Sequence, residues 1–291
     1  MITATLNQSA PAENAPGHPE TTRPRAVQHR LTFDGVLHGE WIKLLSLRSI
    51  RWSIALMIVL SWGSALLMSL AMAGSEFATA EAMPTLIVQS ATLGSLITVL
   101  IMGVLGVLSI TSEYTSGLIL SSLTAVPKRL PLLAAKTLVV AALGLAVGVV
   151  CTYGGALLAA IFLGDGAFAA LGSSAVLLSL LSTAVYLMLA ALFALGAGAL
   201  LRSTAGAISV VVVVFFVSIM MLQILSMTGW AWVGTVTDWI PATLGNTLAM
   251  APVTPGYSGA VGYWGAMLGL VAWAAAPFVP ATILLKTRDA V

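Results

Sequence analysis

The sequence predicts an all-α polytopic membrane protein with six transmembrane helices, and two observations carry that prediction. The first is six long stretches without a single Asp, Glu, Lys, Arg or His: residues 52–73, 86–110, 137–163, 171–200, 206–228 and 263–285. A helix rises about 1.5 Å per residue, so about 20 apolar residues cross about 30 Å of hydrocarbon, and each stretch is long enough. The second is the one-sided placement of charge. Threading the chain through six spans puts all twelve basic residues in one set of segments: Arg23, Arg25, Arg30, Lys43, Arg48 and Arg51, then Lys128, Arg129 and Lys136, then Arg202, then Lys286 and Arg288. The opposite set holds Glu76, Glu81, Asp165 and Asp238 and no base. The positive-inside rule then places both termini in the cytoplasm.

Composition agrees. The 291 residues are 59% hydrophobic and 8% charged, against about 25% charged in a soluble domain. The net charge of +2 is topological, so no nucleic-acid partner is expected. The single cysteine, Cys151, lies inside the third span, which excludes a disulfide framework or thiolate cluster within one chain. His18, His29 and His38 all precede the first span, so no histidine metal site is expected in the membrane.

Residues 1–30 are rich in Pro, Thr and polar groups and read as a disordered cytoplasmic tail; they lack the apolar core of a signal peptide. Residues 31–51 carry Phe33, Leu37, Trp41, Leu44 and Leu45 at helical spacing, interleaved with Glu40, Lys43 and Arg48. That pattern predicts an amphipathic helix in the headgroup layer, with Trp41, Lys43 and Arg48 at the interface with lipid. Its purpose is left open by the residues: orienting the first span, contacting a partner, or both. The six-span domain covers residues 52–285, and residues 286–291 form a cytoplasmic C-terminus. Within it, Pro277 and Pro280 predict a kink in the last span. Gly144 with Gly148, and Gly265 with Gly269, have the spacing that lets helices approach closely. Residues 229–262 hold Trp230, Trp232, Trp239 and Tyr257 among prolines and glycines, and read as short external helices that dip into the membrane or lie flat.

The spans so delimited contain no titratable group, which disfavours an ion-coupled carrier. Their polar side chains serve helix–helix hydrogen bonds first; Gln89, Thr92, Ser218 and Gln223 are the candidates for a translocation path. No GxxxxGK[ST] loop, HExxH pair or Ser/His/Asp set occurs, so the chain is not expected to be an enzyme or to bind a cofactor itself.

The informative loop is residues 111–136. Thr111 or Ser112 can cap a helix N-terminus, Glu113 suits its first turn, and Leu118, Ile119 and Leu123 offer a small apolar face before Pro127. A capped helix projecting from two spans can plug into a soluble partner; a plain basic loop fits the composition equally well.

The run Ile110-Thr111-Ser112-Glu113-Tyr114-Thr115-Ser116-Gly117, followed by Leu123-Thr124-Ala125-Val126-Pro127-Lys128-Arg129 and Ala134-Ala135-Lys136, resembles the membrane-spanning permease subunits of type 2 ABC exporters, most closely the actinobacterial branch. Glu40-Trp41-Ile42-Lys43-Leu44 before the first span and Leu201-Arg202-Ser203-Thr204-Ala205 before the fifth are similar to that branch too. The resemblance implies a plasma-membrane exporter subunit for a small amphiphilic or hydrophobic substrate. Residues 31–51 would be its connecting helix and residues 113–120 its coupling helix, with Glu113, Tyr114, Gly117, Leu118 and Ile119 contacting the ATPase. It implies two copies of a separate ABC ATPase, which supplies ATP and Mg, and a second permease copy or paralogue. Leu118 stands where a smaller polar residue is expected. The rival expectation is a non-transporting scaffold that anchors a soluble regulator through the same loop.

Overall fold

The computed structural model describes residues 32–115, 129–164, 166–257 and 259–287, and among them every regular element is helical. Six helical spans are long and apolar enough to cross a membrane: Arg48–Met72, Met83–Tyr114, Pro131–Leu163, Ser174–Leu201, Thr204–Ser226 and Tyr263–Ile283. The expected tail, Gly117, Leu118, Ile119, Lys128, Asp165 and Arg288 lie outside the described residues.

Helix α1 (Phe33–Ser46) is capped by Thr32, whose hydroxyl accepts the Gly35 N–H. Leu47 is extended and separates it from α2 (Arg48–Met72), so Arg48 and Arg51 open the first span. The amphipathic stripe read from the sequence divides: Leu37, Leu44 and Leu45 pack inward, while Phe33, Trp41 and Ile42 stay exposed. Glu40 shares the inward face, a correction explained by a counter-ion described below.

The second span is two helices, α3 (Met83–Thr92) and α4 (Ser95–Thr115). A Cβ on Gly94, at their junction, would lie 2.8 Å from the Ser61 Cα, so the break is where this backbone presses on α2. Helix α4 runs unbroken through residues 111–115, and Thr111 donates to the Val107 carbonyl. The expected N-cap at Thr111 or Ser112 is therefore wrong: both are interior to a helix that begins at Ser95.

Helix α5 (Arg129–Leu163) forms the third span; after the short α6 (Ala167–Leu171), α7 (Ser174–Leu201) forms the fourth. Helix α7 is the most buried of the spans and packs along α4 and α5. Small residues make this approach possible. A Cβ on Gly106 would sit 2.3 Å from the Ala191 carbonyl oxygen, and one on Gly148 would sit 2.9 Å from the Ala184 Cα. The Gly144–Gly148 spacing thus marks the α5–α7 contact; Gly106 escaped notice.

The fifth span joins α8 (Thr204–Val212), a π-helical turn (Val213–Val217) and α9 (Ser218–Ser226). Residues 229–262, expected to hold short helices, contain α10 (Ala231–Asp238) and α11 (Pro241–Met250). Helix α11 packs against α3, α7 and α12. The last span is α12 (Tyr263–Ala275) and α13 (Phe278–Thr287), interrupted at Pro277 as its missing N–H dictates.

Candidate functional site

Four charges converge where α1, α4 and α5 meet. Lys136, on α5, hydrogen-bonds Glu40 of α1, Glu113 of α4 at 2.8 Å and the Ser109 carbonyl at 3.1 Å. An ammonium has three N–H donors, and all three are used. Lys43 donates to the same Glu113 oxygen and stands 3.6 Å from Glu40. Glu40, Glu113 and Lys136 are buried, at 7%, 3% and 4% exposure, whereas Lys43 reaches the surface. Two carboxylates face two ammonium groups, so the cluster is neutral.

These partners overturn two expectations. The second and third spans extend past their charge-free cores and carry Glu113 and Lys136, so the helices do hold titratable groups, near one end. Glu113 is also not a free surface carboxylate awaiting a partner: it is buried and accepts from both Lys43 and Lys136, so its substitution is expected to disturb folding. Tyr114, the next residue, lies under the Arg202 guanidinium at 5.7 Å from the ring centroid. Lys43, Lys136 and Arg202 therefore gather at one end of the bundle.

Burial pulls the Lys43 ammonium down, but its hydrogen bond and charge contact with Glu113, and then Glu40, outweigh this and hold it above the ordinary 10.5. A raised lysine stabilises fully below its unfolded pKa and loses that contribution as pH climbs through the folded value. The stability difference between wild type and Lys43→Met should accordingly be constant around neutral pH and shrink only above about pH 10.5. Differential thermal melts in detergent measure it.

The candidate path residues lie elsewhere. Gln89 and Thr92 of α3 and Gln223 of α9 line one cleft of about 660 Å³, bounded by α2, α3, α4, α7, the fifth span and α11. Ser218 does not join them: its hydroxyl donates to Val214 within the π turn. Thr92 likewise donates to its own helix, at Val88. Tyr153 and Ser182 make interhelical bonds, to the Leu177 carbonyl and the Tyr263 hydroxyl, the role expected of polar side chains in the spans. Asn246 of α11, overlooked in a segment read for its aromatics, faces the same cleft. Trp41 and Arg48 sit at the exposed basic end.

The fold and the apolar spans define a multi-pass, all-helical integral membrane protein. No protein-family model and no curated protein matches the chain.

Proposed function

We propose that this chain is the permease subunit of an ATP-binding cassette exporter in a bacterial plasma membrane, with its basic end and both termini in the cytoplasm. The observation that carries the reading is the four-charge cluster. It fastens α1 to both helices that flank residues 116–128, which hold most of residues 113–120, the segment whose sequence resembles a coupling helix. A partner pushing on that segment would move α1 and the second and third spans together. A loop that only joined two spans would not need such roots. The energy would come from two copies of a separate ATPase holding ATP and Mg, beside a second permease copy or paralogue. The cleft holding Gln89, Thr92 and Gln223, away from the cluster, supplies a candidate path.

Affinity purification of the tagged chain from its native membranes in mild detergent tests this. An ATPase should copurify, and its hydrolysis should depend on the permease. Purification without any nucleotide-hydrolysing partner, or gradient-driven transport by the lone chain in liposomes, would contradict it. Orientation has its own check. After Cys151→Ser, single cysteines replacing Glu76 or Asp238 should react with an external thiol reagent in sealed cells. A cysteine replacing Lys128 should not, and its labelling from outside would reverse the topology.

A further inference from the structure

We infer that the cleft is a binding site for an uncharged amphiphile whose polar part carries several amide groups, as in a capped lipopeptide. The inference rests on the exporter reading only in taking that ligand for the transported substrate.

Gln89, Gln223 and Asn246 come from three separate elements, α3, α9 and α11, and all three are exposed into the same cleft. None of their side-chain amides has a hydrogen-bond partner among the described residues, although each offers two donors and an acceptor. Gln89 and Gln223 belong to membrane spans and Asn246 faces them from α11, so three amides open onto one cleft with donors and acceptors available to a ligand.

Tyr186 adds an independent observation. It lines the cleft from α7, is 5% exposed, and its hydroxyl has no partner among the described residues. Gly245 presses on its ring, where a Cβ would come within 2.8 Å, so the ring is held in place by α11.

The lining also selects among ligands. It contains no Asp, Glu, Lys, Arg or His, so a charged ligand would find no counter-charge. Primary amides pair well with other amides, each group both donating and accepting. Leu93, Phe216 and Met220 supply apolar wall for an acyl or aromatic portion. A volume of 660 Å³ fits a drug-sized molecule, since such pockets hold about 300–1,000 Å³.

The test uses the full-length chain in nanodiscs and three photoreactive probes built on one decanoyl tripeptide: C-terminally amidated and neutral, with a free carboxylate, and with an added ammonium. The neutral probe should label α3, α9 or α11 saturably. The charged probes should label about a hundredfold more weakly, because the lining offers no counter-charge to replace the water a charge would lose. Gln223→Leu and Asn246→Leu should each weaken labelling about tenfold, the worth of one hydrogen bond. Both side chains are exposed, so the variants should fold; Gln89→Glu provides a second handle and should shift preference toward the ammonium probe. Equal labelling by all three probes, no saturable labelling, or labelling indifferent to the substitutions would overturn the site. So would disulfide-linked dimers through Asn246→Cys that exclude the neutral probe, since the cleft would then be a contact face between copies. ATPase copurification is unaffected by any of these results, so failure of the site and failure of the exporter reading are separable.

Discussion

Lys136→Met should destabilise the bundle by about 3–5 kcal/mol, the cost of leaving buried charge without its partner. The substitution keeps the volume of the side chain but strands Glu40, whose remaining contact is Lys43 at 3.6 Å, and removes a donor from Glu113 and from the Ser109 carbonyl. Pairing it with Glu40→Gln restores neutrality around the surviving Lys43–Glu113 contact and should recover much of the loss. Residual monodisperse protein after heating in detergent reports both. A single variant as stable as wild type would mean that water already solvates the cluster and that α1 is not fastened by it. The double variant also separates folding from coupling. If stability returns and export does not, the cluster transmits force as well as holding the helices.

Gly106→Val should be comparably damaging for a different reason. Helices α4 and α7 touch through their backbones here, with the would-be Cβ 2.3 Å from the Ala191 carbonyl oxygen and 3.1 Å from its carbon. No rotamer relieves a clash with backbone, so the helices must separate, and their buried faces lose contact along Val107, Ala194 and Leu195. Overpacking typically costs about 1–3 kcal/mol, and a backbone collision between the two central helices belongs at or above the top of that range. Gly63→Val, with nothing within 4 Å of its Cβ, is the matched control and should be nearly silent. Equal melting of the two variants would show that α4 and α7 are not packed as described.

The six spans were legible because hydrocarbon tolerates so little charge; a run of twenty uncharged residues has few other uses. Their ends were not. Glu113 and Lys136 read as loop residues because each was judged alone, yet their partners lie 70 and 96 residues away in Lys43 and Glu40. The same distance hid the inward face of α1: helical spacing grouped Trp41 with Leu37, and only tertiary contact shows Glu40 turned in instead. The break at Pro277 was legible from a missing N–H. The break at Gly94 reflects the close approach of α2, which sequence spacing does not show, and the π turn at Val213–Val217 lies in an unbroken apolar run. In the cleft, Gln89 and Gln223 stood out as amides in apolar runs. Asn246 did not, because α11 lies in a segment where polar residues are ordinary.

The central proposal is that a separate ATPase docks on the part of residues 113–120 that follows the buried Glu113. A photoreactive amino acid incorporated at position 119, with irradiation of intact native membranes, tests it most directly. One dominant adduct is expected, to a nucleotide-hydrolysing subunit, formed at this position and absent when the same group replaces Phe77 at the opposite end. An adduct to a protein without ATPase activity would instead favour a membrane scaffold, and no adduct at position 119 in fully inserted protein would contradict docking there.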